Sequence, residues 1–142
     1  MLAGFLSVPL CVAVAVYGFN VPFNGSLTLF LALSVIFLFA TMSIALFLSV
    51  FAGSQQVAIL ASMLIFLFSG FFMSGLMIPF SLMGPILQLE AFMFPTTHFV
   101  IISRGIFVKG ANLAALQGFV LALLGVGAIF FTLTVLMFKK KL

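Results

Sequence analysis

From Met1 to Leu89 the sequence holds no charged side chain, and the complete set is Glu90, Arg104, Lys109, Lys139, Lys140 and Lys141. So few charges cannot clothe a folded chain of 142 residues in water: 4% are charged and 66% hydrophobic, whereas soluble domains carry about 25% charged residues. Lipid is the solvent such a chain is built for. Crossing ~30 Å of hydrocarbon takes about 20 mainly apolar residues, so the length holds at most about five or six spans with short loops and no large extramembrane domain.

Four stretches qualify as spans: 2–19, 27–51, 57–78 and 113–138. The first is slightly short and contains Pro9, which a helix in lipid tolerates. It lacks the basic leading segment of a secretory signal and is read as a span, not a leader. Pro22 and Asn24-Gly25 are turn formers that separate the first two spans, and Ala52-Gly-Ser-Gln-Gln56 makes the next connection. Asn24-Gly25-Ser26 also matches a glycosylation sequon, but at the bilayer surface it reads as a turn.

Residues 79–111 differ. Pro79, Pro85 and Pro95 interrupt them, and they contain Glu90, His98, Arg104 and Lys109. Two short helices fit between the prolines, Ile86 to Phe94 and a second opened by Pro95, where proline suits a first helical turn. A fifth span over Ile86 to Ser103 would put a carboxyl, His98 and two threonines into hydrocarbon at considerable cost. The expected fold is therefore all-α: one polytopic transmembrane domain over 1–142, with four transmembrane helices and a re-entrant or surface hairpin. An even number of spans puts both termini on one side. Lys139, Lys140 and Lys141 make that side cytoplasmic and leave the hairpin outside.

The chemistry open to this chain is narrow. It has no phosphate-binding GxxxxGK[ST] loop, so it cannot hydrolyse ATP by that route. With one His, one Cys, one Glu and no Asp, one copy can assemble neither a metal cage nor a catalytic triad, and no cofactor is implied. Cys11 reads as a small apolar residue of the first span. Spans free of ionisable groups argue against a proton-driven transporter. Basic residues stacked after an apolar run signal membrane orientation, not nucleic-acid binding.

Pro79, Pro85, Glu90, Pro95 and Arg104 are the gate and hairpin candidates. Folding about Pro95 would let Glu90 and Arg104 latch together. That reading is outweighed by Arg104 reaching for headgroups and Glu90 facing water, because exposed pairs contribute little. His98 reads as an interfacial filler with a local hydrogen bond ahead of a pH sensor. Gly70 with Ser74, and Gly118 with Ala122, are small residues four apart, a spacing that lets helices approach closely in lipid within a bundle or between subunits.

An ordered series of motifs resembles the last part of the membrane-spanning permease of type-2 ABC transporters. Ser54-Gln-Gln-Val-Ala58 opens a span containing Ser69-Gly70; Ile78-Pro-Phe80 and Met83-Gly-Pro85 follow; then come Pro95-Thr-Thr-His-Phe99 and Arg104-Gly-Ile-Phe-Val-Lys-Gly110 before a final span and basic tail. Val21-Pro-Phe-Asn-Gly-Ser26 looks like the family's outer turn between its third and fourth spans. Phe94 stands where the family usually has Asn, and Gly84 separates Met83 from Pro85. The resemblance implies an exporter permease in a bacterial inner membrane, paired with a second permease copy and driven by a cytoplasmic ABC ATPase subunit. It also implies that the hairpin caps a central cavity on the exit side and that the coupling helix lies upstream, making this chain the C-terminal part of a longer permease. The competing reading from another class is a small self-associating membrane pore or scaffold protein.

Overall fold

The computed structural model describes residues 2–73, 75 and 77–141. Every regular element in these residues is helical: α1 (Leu2–Ala13), α2 (Leu27–Phe51), α3 (Gln55–Phe68), α4 (Pro85–Met93), α5 (Pro95–Lys109) and α6 (Leu113–Lys141). Wider π turns prolong α1 over Val14–Gly18 and α3 over Ser69–Met73, and a short 3-10 turn forms at Phe80–Leu82.

Local chemistry sets the helix ends. Ser26 and Ser54 cap α2 and α3, each hydroxyl accepting a main-chain N–H three residues on, from Leu29 and Val57. Pro85 and Pro95 occupy first turns, where a missing N–H costs nothing. Gly110 ends α5 in the left-handed conformation at φ 59°, and the N–H of Ala111 donates back to the Gly105 carbonyl. Hydroxyls within the helices bond their own backbone: Ser34, Ser43, Ser103, Thr132 and Thr134 each donate to a carbonyl one turn earlier. That leaves them no need of water in a lipid setting.

Three helical stretches are long and apolar enough to cross a membrane: Leu27–Phe51, Gln55–Met73 and Leu113–Lys141. At 1.5 Å per residue they measure ~37, ~28 and ~43 Å. The expected first span is the shorter apolar helix Leu2–Gly18, ~25 Å long by the same rise. Its described start lies against Val35 and Leu38 in the middle of α2. Of the expected third span, helical structure is described as far as Met73; Gly75 lies beyond it at φ 78°, and residues 77 and 78 are not helical. The helix that follows the hairpin runs to Lys141, three residues past the expected 138.

The core sits where α1, α2, α5 and α6 meet, around Val12, Phe30, Leu33, Ala40, Ile102, Ile106, Leu116, Val120 and Leu123. α2 and α6 lie side by side and run the same way. Gly127 meets Ala40, the Phe130 ring meets Phe47 at 5.3 Å, and Lys141 Nζ donates to the Val50 carbonyl across 2.7 Å. α5 runs antiparallel to α2 along a column of rings, in which Phe107 contacts Phe23 and Phe30 while Phe99 stacks on Phe37 at 4.3 Å. The 20–26 turn docks on the far end of α5, the Asn24 N–H donating to Phe107 and its side-chain amide to Val108.

Candidate functional site: the broken hairpin and the cleft at Glu90

α4 and α5 meet at an angle of 87° across Phe94. Because α5 lies along α2 with Phe99 beside Phe37, the junction at Phe94 and Pro95 reaches the middle of the bundle and does not rest on its end. The bend makes the pair α4 and α5 either a re-entrant loop or a broken span, and the junction does not lie on the surface of the bundle's end. The helices lie within a residue of expectation, starting at Pro85 in place of Ile86 and ending at Met93 in place of Phe94.

Polar contacts with main-chain carbonyls hold the turn in place. Pro95 and Thr97 are fully buried, and the Thr97 hydroxyl donates to the Met73 carbonyl at 3.4 Å, tying the start of α5 to the end of the third span. His98 is 5% exposed. Its Nε2 lies 2.6 Å from the Phe92 carbonyl, which can only accept, so this nitrogen carries the proton and bridges α5 back to α4. The ring stands between Phe92 and Phe119, and its buried Nδ1 has no partner. Gln88 Nε2 donates to the Phe80 and Met83 carbonyls and so fixes the approach to α4.

Glu90 and Arg104 form no ion pair. Arg104 Nη2 donates to the Gly75 carbonyl at 3.2 Å, holding the segment after the third span against α5. Glu90 instead borders an apolar cleft of about 580 Å³. Its other lining residues are Ile44 of α2, Leu64, Ile65 and Phe68 of α3, Met73, Met93 and Phe94, and Phe130 of α6. Leu64 and Ile65 stand midway along the third span and Phe130 just past the middle of α6, so Glu90, the one acidic side chain, borders the cleft at mid-depth while itself remaining exposed. The sequence located Glu90 in the hairpin but not this depth, because depth follows from how far α5 runs down α2.

The remaining candidate residues are scattered. Pro79 precedes the 3-10 turn and is exposed. A Cβ on Gly70 would touch only the Thr96 methyl, at an ordinary 3.9 Å, and its expected companion Ser74 lies outside the described residues. Gly118 has nothing within 4 Å of such a Cβ, and Ala122 is half-buried. The close crossing falls at Gly127, where a Cβ would stand 3.1 Å from Ala40 Cα and from a Phe39 ring carbon. No sequence signal singled it out from the neighbouring glycines of α6. Lys139 and Lys140 are exposed, while Lys141 is engaged with Val50. Among the described residues no group of His, Cys, Asp and Glu could hold a metal ion.

These features define an all-α polytopic membrane protein with a sharply bent helix pair set among its spans. Over 122 residues, 85% of its length, the chain is 33% identical to the inner membrane transport permease YhhJ of Escherichia coli, of which the match covers 32%. It is 29% identical to the probable multidrug ABC transporter permease YbhS of the same organism, across 98% of this chain and 37% of that protein. With the probable multidrug ABC transporter permease YbhR it shares 28% identity, across 91% of this chain and 35% of the relative. The chain is thus a relative of ABC transport permeases, in agreement with its motifs, and spans about a third of the length of the curated relatives it matches. No protein-family model matches the sequence, and no solved structure matches it.

Proposed function

We propose that the chain is the C-terminal part of a permease subunit of an ABC-type exporter, forming one wall of the substrate pathway. A separate cytoplasmic ATP-binding subunit powers it, a second permease copy completes the pathway, and both termini face the cytoplasm of a bacterial inner membrane. The observation that carries this reading is the re-entrant hairpin. A proline-broken helix pair that reaches mid-depth is costly in lipid unless it lines a passage, because irregular backbone there must be enclosed by protein or by a cavity. The hairpin borders such a cavity. Two further features support the reading. The chain carries no phosphate-binding loop, and Ile59, Leu60, Met63, Leu64 and Leu67 leave much of α3 uncovered, apolar surface suited to lipid or to another helix.

The test is reconstitution in liposomes with a fluorescent amphiphilic drug as cargo. The chain alone is expected to give no ATP-dependent movement. A permease that contains it, together with an ABC ATPase, is expected to give movement that stops when the ATPase is inactivated. ATP-driven transport by the purified chain with no other protein present overturns the proposal, and an ATP-independent leak through the chain alone points to a self-associating pore.

A further inference from the structure

The three lysines that close α6 do not share one environment. Lys141 turns into the bundle, where its Nζ donates to the Val50 carbonyl at 2.7 Å and pins the last turn of α6 to the end of α2. Lys139 and Lys140 stay exposed and, with Leu133, Leu136 and Met137, line an open groove of about 430 Å³. Leu133, Leu136, Met137 and Lys140 recur at intervals of three and four, so they form one flank of the helix, with Lys139 at its edge. No acidic side chain stands beside the two ammonium groups. The only one in the chain, Glu90, shares its cleft with Phe130, which lies about 14 Å back along α6 at 1.5 Å per residue. Two like charges on neighbouring residues repel one another, and an anion set between them relieves that repulsion.

We propose that this groove binds an anionic phospholipid of the surrounding bilayer, with its phosphate between Lys139 and Lys140 and one acyl chain along Leu133, Leu136 and Met137. At ~43 Å, α6 is longer than the ~30 Å of hydrocarbon it crosses, so its last turn reaches the level of the headgroups. Leu133 lies about 10 Å below Lys140 along the axis, and an acyl chain descending from a phosphate at the lysines passes the three apolar side chains in turn. Basic residues beside a span attract anionic headgroups in general. Here the bond from Lys141 to Val50 also keeps the last turn wound, which holds the other two lysines above the apolar flank. Their stems lie along apolar surface while the ammonium groups reach outward, and the unbranched Met137 adapts to chains of different outline. A zwitterionic lipid offers the same acyl chains but carries its own cation to the lysines, so the groove selects by headgroup charge. A second copy is the poorer occupant: packed on the same flank at the same depth, it would bring two more lysines to the same place. The inference goes beyond the permease reading and stands without it.

The chain has no tryptophan, so one can be introduced as the sole fluorescent reporter. Ile129→Trp sets it on the same flank, one turn deeper than Leu133, at an exposed residue that does not line the groove. Leu121→Trp, at an exposed residue nearer the other end of α6, is the control. The full chain is reconstituted in phosphatidylcholine vesicles containing either phosphatidylglycerol or phosphatidylcholine brominated in the acyl chains, and quenching gives the relative affinity of the two lipids at each reporter. At Ile129→Trp a preference for phosphatidylglycerol on the order of twentyfold is expected at low salt, about fivefold from each lysine. At Leu121→Trp no preference is expected. In the Ile129→Trp background, Lys139→Gln and Lys140→Gln are each expected to remove one lysine's share, Lys139→Arg with Lys140→Arg to retain both, and Lys141→Gln to leave the preference in place. Where a lysine variant does not insert, salt at about 1 M, which shortens the Debye length to about 3 Å, is expected to abolish the preference without any substitution. Equal quenching by the two lipids at Ile129→Trp overturns the proposal. So does an equal preference at Leu121→Trp, or an equal loss from all three lysines, since either marks diffuse attraction to a positive tail. Absence of quenching by both lipids shows the flank covered by protein, such as a second copy, and overturns it as well.

Discussion

Gly127 of α6 lies so close to Ala40 of α2 that a Cβ added to the glycine would stand 3.1 Å from the Ala40 Cα. The Phe39 ring stands equally close and can turn aside, but the Ala40 backbone cannot yield without a shift of the helix axis. Gly127→Leu is expected to destabilise the chain by about 1–3 kcal/mol, the usual cost of overpacking. Gly118→Leu, on the same helix but with open space around it, is expected to leave the melting midpoint in detergent unchanged. Equal midpoints for the two variants would show that α2 and α6 do not cross at Gly127.

The turn at Asn24 and the end of α5 make a second close contact. Gly110 combines φ 59° with a Cβ direction that ends 2.7 Å from the Asn24 carbonyl oxygen. Gly110→Ala thus adds backbone strain to a clash, and a loss of about 1–3 kcal/mol is expected. Asn24→Ala removes only the side-chain bond to Val108 and keeps the main-chain bond to Phe107; about 0.5–1.5 kcal/mol is expected. Thermal unfolding of both variants in one detergent checks the order, and a larger loss for Asn24→Ala contradicts it.

Much of this architecture was legible from two sequence properties. The charge-free runs gave the long helices because composition alone decides what lipid accepts, and Pro85 and Pro95 gave the starts of α4 and α5 because a missing N–H costs nothing in a first turn. Asn24-Gly25 was legible as a turn, though not as one that docks on α5, since a long-range contact leaves no mark on local spacing. Small residues four apart drew attention to Gly70 and Gly118, yet the tight crossing is at Gly127. Spacing says which faces could approach closely, and the actual crossing depends on how the whole helix is set. Glu90 was visible as the lone carboxyl group, but its place in a cleft follows from the 87° bend between α4 and α5.

His98 ties the two arms of the hairpin together through a single hydrogen bond. His98→Phe keeps a ring between Phe92 and Phe119 while leaving the part-buried Phe92 carbonyl without its donor, and loss of such a hydrogen bond costs about 0.5–1.5 kcal/mol. The hairpin is expected to open more often. With Cys11 replaced by Ser, a cysteine at the buried Ala91 should react several-fold faster with a thiol reagent in the His98→Phe background, on the order of tenfold per 1.4 kcal/mol. Unchanged reactivity would mean that packing and not this hydrogen bond holds the turn.

Every mechanistic statement about the hairpin depends on which side of the membrane it enters from. The Asn24 turn and the end of α5 are joined by hydrogen bonds and so lie at one end of the bundle, while Lys141 and Val50 are joined at the other. The lysines at 139–141 should face the cytoplasm, which puts the Asn24 turn and Lys109 outside. If the hairpin dips in and returns, the 3-10 turn at Phe80–Leu82 must lie outside as well. In a Cys11→Ser background, single cysteines at Ser81, Lys109 and Lys140 are challenged with a membrane-impermeant thiol reagent in intact cells. Positions 81 and 109 should label at once, and position 140 only after lysis. Labelling of 81 and 109 from opposite sides would make the bent pair α4 and α5 a crossing. The termini would then be split across the membrane, and the cleft at Glu90 would open along a different route from the one proposed.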